Sequence, residues 1–395
     1  MDVEVSTGAV DRYLGEELNS VAGESQKSNW ENENLSQIPF KVFRGHRDAV
    51  NSCVFCINGT HVLSGSDDGT AKLWSARGTK LITNYAAHTG PVSAVKVTKD
   101  SKQFLTCSWD KSVRLWDLET GKILWTGKHN GMVMAGDISL DGKLVVSCSD
   151  FDNAVKVWNA EDGQELTELK NHHSSTPTCC SFSPNGQRIV STSFDKVTKI
   201  WDRVSETVTA TLTDHLNIVS SCCFSEKERY LCTGSWDKTL RLYDISTGMY
   251  RTKGSKVLDK GHEGCVSCCR FSTDGQTLIS GGYDKAVILW DVSNYVKKLV
   301  LKGHEDWITD VDTSIDKKWI LSASKDKTVR MWNIENADHI PAVVESRHAM
   351  GLKIMQCEKC GKSFSIAQLE DVVDTSICVF CRLADPERNT LPSIL

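Results

Sequence analysis

The chain has 395 residues, a formal net charge of −5 and both signs of charge spread along its length, so no basic footprint for duplex nucleic acid stands out. No apolar run approaches the roughly 20 residues that span a bilayer, and the acidic, polar stretch from Met1 to Gln37 is unlike a signal peptide. Sixteen cysteines, most of them in apolar strand-like runs such as Ser52-Cys53-Val54-Phe55-Cys56, point to buried thiols in a reducing compartment, cytoplasmic or nuclear, rather than to a disulfide framework.

Residues 1–37 read as a disordered acidic and polar segment. Ile38 to Arg44 reads as a strand leading into Gly45-His46. Val50 to Cys56 is then a β-branched, apolar strand, Gly59 turns the chain, and His61 to Ser66 is a second strand. Asp68-Gly69 makes a tight turn, because glycine accepts positive φ without steric cost. Thr70 to Trp74 is a third strand and Lys80 to Ala86 a fourth.

This unit recurs. The pairs His46–Trp74, His88–Trp116, His129–Trp158, His173–Trp201, His215–Tyr243, His262–Trp290 and His304–Trp332 are 28 residues apart, except the third at 29. Successive aromatics lie 42, 42, 43, 42, 47 and 42 residues apart. A fixed period of this length marks one supersecondary unit copied in tandem. The Gly-His pairs, the Trp-Asp pairs and the Ser-x-Asp turns resemble the WD-repeat β-propeller family over residues 38–339. The resemblance implies an all-β, seven-bladed WD-repeat propeller. It also implies a buried hydrogen-bond tetrad in each blade: His46, Ser66, Asp68 and Trp74 in the first, His88, Ser108, Asp110 and Trp116 in the second, His304, Ser324, Asp326 and Trp332 in the seventh. An imidazole, a hydroxyl, a carboxylate and an indole N–H can satisfy one another in series, as buried polar groups require.

Three blades depart from the pattern. Tyr243 replaces Trp in the fifth, and Gly282 stands where serine is expected in the sixth. Phe151 belongs to a one-residue insertion before Asp152 in the third, with Asp150 at the serine place. The longer gap after the fifth blade, Met249 to Lys256, reads as a solvated loop. Two segments compete to close the ring, Ile38 to Arg44 and the similar Ile340 to His348. The N-terminal one is favoured, because closing the ring from both chain ends removes the sheet edges.

The residue before each turn aspartate is Asp67, Trp109, Phe151, Phe194, Trp236, Tyr283 or Lys325, five large aromatics in seven turns on one face. In the family this is the narrower face and a frequent peptide contact. Met132, Met134, Ile218 and Trp307, three or five residues past a histidine, aim at the same mouth in relatives. The partner-binding set is therefore Trp109, Phe151, Phe194, Trp236, Tyr283, Trp307 and Met132. Pure packing of these rings over the tetrads is the alternative. Asp48 and Asp67 at the mouth favour a basic peptide.

Residues 340–351 read as a tether, and 352–395 as a small C-terminal four-cysteine zinc-binding tail of knuckle or ribbon type. Cys357 and Cys360 form one Cys-x-x-Cys pair, and Cys378 and Cys381 follow after 17 residues as another. That spacing suits a closed tetrahedral site, so structural zinc is the expected cofactor. Nothing resembles a nucleophile–base pair, a phosphate loop or an open metal site. The reading is a non-enzymatic protein–protein scaffold with no membrane, small-molecule or nucleic-acid partner. Its alternatives are an adaptor subunit of a ubiquitin ligase or other multiprotein enzyme, and a nucleic-acid-associated protein using the zinc tail. The carboxy-terminal Ser393-Ile394-Leu395 resembles a PDZ-domain ligand, and Trp74-Ser75-Ala76-Arg77 a cullin-receptor box that lacks its acidic residue.

Overall fold

The computed structural model describes residues 38–335, except 152, 170, 171 and 249, together with the backbone of 352–356 and 363–367. Seven four-stranded antiparallel sheets follow one another in sequence, each packing its innermost strand against the next, and the last against the first. The first blade pairs Val50–Cys56, His61–Ser66, Thr70–Ser75 and Leu81–Ala86 in that order. Middle strands are buried along nearly their whole length, as in His61–Ser66, while the outermost strand is mostly exposed. This gradient explains the apolar middle strands and the polar outer ones.

Phe40–Arg44 supplies the fourth strand of the seventh blade, pairing with Thr328–Asn333 from Phe40 opposite Trp332 to Arg44 opposite Thr328. Ile340 to His348, the rival, lies outside the described residues. Ile38 packs in the seam with the sixth blade, beside Val287, Leu289 and Ile320. Phe43 packs in the seam with the first, beside Val50, Trp74 and Val329. One short segment therefore plugs both flanks of the last blade.

A second set of bonds encircles the central channel. The second residue of an innermost strand donates to the carbonyl of the first residue in the next blade. The distances are 2.9 Å for Asn51 to Val92, 2.7 Å for Ser93 to Val133, 2.5 Å for Thr178 to Val219, and 2.6 Å for Ser220 to Val266. Ser267 to Ile308 at 2.6 Å continues the series, and Thr309 to Val50 at 2.6 Å links the last blade back to the first. Met134 holds the corresponding place in the third blade and has no such donor; there the Pro177 carbonyl meets the Cys148 thiol at 4.0 Å. Within the fifth blade, a short helix, Tyr250–Lys253, leads into a three-residue outermost strand, Lys256–Leu258, paired with Leu240–Asp244, in place of the expected loop.

The cysteines of the described residues are all free. No helix among the described residues is long and apolar enough to cross a membrane.

Candidate functional site

Both the turns that carry the histidines and those that carry the aspartates lie at one end of the sheets, because the two meet in each tetrad. In the first blade His46 Nδ1 donates to Asp68 Oδ2 at 2.9 Å, leaving Nε2 to accept from the Ser64 hydroxyl at 2.8 Å. Trp74 Nε1 donates to the same Ser64 oxygen at 2.8 Å. The hydroxyl is thus that of Ser64, not Ser66. Both serines point to the same face of the strand, two residues apart, but only the inner one lies between the imidazole and the indole. Ser66 pins the turn instead, donating to the Asp48 carbonyl and accepting from the Asp68 N–H, each at 3.1 Å.

The correction repeats around the ring. In the second blade Thr106 joins His88 and Trp116 at 2.7 and 2.8 Å, while Ser108 bonds to the Gly90 carbonyl and the Asp110 N–H. His88 donates to Asp110 at 2.7 Å. In the seventh, Ser322 joins His304 and Trp332 at 2.7 and 2.8 Å, while Ser324 bonds to the Asp306 carbonyl and the Asp326 N–H. His304 donates to Asp326 at 2.7 Å. The sixth blade is complete despite Gly282, since Ser280 joins His262 and Trp290 at 2.7 and 2.8 Å and His262 meets Asp284 at 2.9 Å. In the third, Ser147 joins His129 and Trp158, and Asp152 lies outside the described residues. In the fifth, His215 bonds to Asp237 and Thr233 at 2.8 Å each, but Tyr243 does not reach Thr233.

These partners hold the aspartates as anions. Burial lifts the Asp68 carboxyl, but the His46 and Thr70 side chains and the Arg47 N–H outweigh it and leave it well below the usual carboxylate range. Asp237 and Asp326 behave alike, and Asp195 is drawn down to about 2 as His173 and backbone N–H groups overcome burial. Among the described residues the network reads as structural, its histidines bonded to aspartate and hydroxyl partners, with the Tyr243 hydroxyl of the fifth blade left outside it.

Above the tetrads, the residue before each turn aspartate is fixed by its own N–H, which donates to a carbonyl in the preceding histidine-bearing segment. The bonds run from Asp67 to Ala49, Trp109 to Pro91, Phe194 to Thr176, Trp236 to Ile218, Tyr283 to Cys265 and Lys325 to Trp307, at 2.9–3.0 Å. In the third blade it is Asp150, not Phe151, that makes this bond, to Met132 at 3.1 Å. The insertion therefore pushes Phe151 out of the ring of matched positions, and its side chain is 80% exposed.

Four of the remaining rings form one continuous arc. Phe194 and Trp236 have centroids 6.2 Å apart, Trp236 and Tyr283 5.9 Å, and Tyr283 stacks on Trp307 at 4.4 Å and 15°. The Lys325 ammonium lies over the Trp307 ring, 4.6 Å from its centroid. All four rings are partly exposed. Trp109, 40% exposed, and Met132 stand apart from the arc. The two aspartates read as acidic attraction are already engaged. Asn51 donates to Asp67 at 2.6 Å, and the Lys327 ammonium lies 3.7 Å from Asp48.

At the other end of the channel a cavity of about 590 Å³ opens, with Lys96, Asp137, Arg270 and Asp312 on its walls. Arg270 Nε bonds to Asp312 Oδ1 at 3.2 Å, and Asp137 and Asp312 each accept a backbone N–H of the neighbouring blade, so Arg270 and the two aspartates are engaged at seams. Among the described residues no three His, Cys, Asp or Glu side chains could hold a metal ion. Cys357, Cys360, Cys378 and Cys381 lie outside those residues.

Residues 49–333 match the family described as the IFT122 first beta-propeller. Human WD repeat-containing protein 88 is 44% identical over 163 residues, 41% of this chain and 34% of that protein. Pre-mRNA-processing factor 17 of Saccharomyces cerevisiae is 28% identical over 57% of this chain and 51% of its own. The ribosome biogenesis protein WDR12 homolog of Nematostella vectensis is 31% identical over 51% and 56%. The chain thus spans about a third to a little over half of the length of these curated relatives.

Proposed function

The chain belongs to the IFT122 first beta-propeller family, and from that premise we propose that it is a protein–protein interaction scaffold whose tetrad-bearing face seats a partner peptide or loop. The observation that carries this reading is the unbroken arc Phe194–Trp236–Tyr283–Trp307, held at fixed spacing by backbone bonds yet left partly open to solvent. Preorganised aromatic side chains on a rigid rim are what a binding hot spot needs. The chain is non-enzymatic, in keeping with relatives whose names describe processing and biogenesis factors. The free cysteines support an intracellular setting.

Trp236→Ala is the test. Its side chain is half-buried and lies outside the tetrads, so the fold is expected to persist, with Tm within a few degrees of the parent. Affinity capture of the intact chain should lose its main partners, by about 2 kcal/mol or roughly thirtyfold in affinity. Capture that matches the parent refutes the face. A cullin adaptor among the captured proteins moves the reading to a ligase receptor.

The tail adds a second element. The described strands Leu352–Gln356 and Ser363–Ala367 pair antiparallel, with Gln356 opposite Ser363. The first Cys-x-x-Cys pair therefore falls within the six residues that join two paired strands. This connection supports a zinc knuckle with Cys357, Cys360, Cys378 and Cys381 as its four thiolate ligands. Zinc would there supply folding energy and no reactivity. The purified chain is expected to carry one zinc per molecule by elemental analysis, and Cys357→Ser with Cys378→Ser to carry none. Equal zinc in both proteins would remove the site.

A further inference from the structure

Adjacent cysteines stand on two neighbouring innermost strands, Cys222-Cys223 in Val219–Phe224 and Cys268-Cys269 in Val266–Phe271. Strand alternation sends the members of each pair to opposite faces. Cys222 packs toward the fourth blade with Val190 and Ile200, and Cys268 toward the seventh with Ile308. Cys223 and Cys269 turn into the seam between the fifth and sixth blades, where their sulfurs lie 3.6 Å apart. We propose that these two thiols are an oxidation site: hydrogen peroxide converts them to a reversible disulfide that ties the fifth blade to the sixth.

The two sulfurs differ in their surroundings. The Ser221 hydroxyl donates to the Cys269 sulfur at 3.4 Å. The S–H groups of Cys223 and Cys232 also donate to it, and with Ser221 and Arg270 they overcome burial and hold this thiol well below its usual value. Burial lifts Cys223 instead, so it keeps its proton. The thiolate is the nucleophile toward peroxide, and a thiol in contact with it resolves the product. Access comes from the channel. Cys223 lines the cavity of about 590 Å³ at the end away from the tetrads, and Cys269 is 7% exposed. Cys232, opposite Cys223 in register, is fully enclosed.

The Cys269 thiolate attacks one peroxide oxygen, the O–O bond breaks, and hydroxide leaves, taking up the proton that Cys269 gave on ionising. The Cys223 sulfur then attacks the sulfenic acid so formed. An S–S bond forms, the S–O bond breaks, and the hydroxyl departs with the Cys223 proton as a second water. Each sulfur loses one electron and each peroxide oxygen gains one. A disulfide holds its sulfurs about 2 Å apart, a closure from 3.6 Å that side-chain rotation supplies. Two other thiol pairs meet at seams. Cys148 and Cys180 donate their S–H groups to the Pro177 and Ala135 carbonyls, as neutral thiols do. Cys179 and Cys222 meet between the fourth and fifth blades, off the cavity wall.

The test treats the full chain with sub-millimolar hydrogen peroxide, digests it without reductant and maps the products by mass spectrometry, with fragment ions placing each sulfur. The expected product is a link between Cys223 and Cys269 that dithiothreitol reverses. It should form roughly tenfold faster than the fully enclosed Cys107 is oxidised. Cys223→Ser should leave Cys269 as a sulfenic acid that dimedone traps, and Cys269→Ser should abolish both products. Cys232→Ser should keep the link. If a variant fails to fold, the map of the parent chain decides alone. Absence of the link, a faster link between Cys179 and Cys222, or a link that forms only in urea would overturn the proposal.

Discussion

Phe43→Ala is expected to destabilise the protein by about 3–5 kcal/mol, the cost of truncating a fully enclosed aromatic side chain. Phe43 is 1% exposed and meets Trp74 edge-on, with centroids 6.0 Å apart, in the seam between the last blade and the first. It belongs to the strand that closes the ring, which is continuous with the first blade through residues 45–49 but is held to the seventh blade only by pairing and packing, so the vacancy falls where closure is least secured. Phe40, three residues earlier on the same strand, is 46% exposed and lies on the outer side against Trp332. Phe40→Ala should cost no more than about 1 kcal/mol. Urea unfolding of the two variants decides the matter, and equal losses would contradict the closing role assigned to Phe43. Deleting residues up to Gly45 should do worse, exposing the edge of Thr328–Asn333 and driving aggregation.

Mild acid should weaken the protein before it reaches ordinary carboxylate values, and stronger acid should collapse it. Two kinds of group contribute, with the same sign. Burial holds His88 and His304 below the usual imidazole value in the folded chain, although Asp110 and Asp326 pull the other way. Burial and the neighbouring His173 take His172 down to about 4. Below about pH 6.5 the unfolded chain therefore binds protons that the folded chain refuses, and stability falls. The tetrad aspartates act lower. Their folded values are depressed, so the stability they lend is complete above about pH 4 and is lost as pH falls through the folded values, about 2 for Asp195. The urea midpoint should be level from about pH 8 to 7, decline below about 6.5 and fall steeply below about 4. A midpoint that rises on acidification, or stays flat down to about 4, would contradict this.

Much of the architecture could be read from the chain because every blade repeats one spacing, and a spacing fixes register. The tetrad hydroxyl is Ser64 and not Ser66 although a strand's period of two puts both on one face and both are polar. A signal that separates them was nevertheless present. A serine or threonine stands 18 residues after the histidine in all seven blades, as Ser64, Thr106, Ser147, Ser191, Thr233, Ser280 and Ser322. The position 20 residues after fails at Gly282. Phe151 lies outside the ring of matched positions although the spacing puts it there, because an insertion has no address in a sequence; the Asp150 N–H bond to Met132 locates it.

The missing link at Met134 makes one seam different in kind from the other six. On the channel face away from the tetrads, the third and fourth blades are fastened by Asp137, which accepts from the Ser181 hydroxyl and the Phe182 N–H at 2.8 and 3.0 Å. Toward the tetrads, the side-chain link found at the other seams gives way to the Cys148 thiol against the Pro177 carbonyl and to the apolar packing of Met134 and Ala135 against Cys148 and Cys180. That part of the seam is held by fit rather than by a strong directional bond.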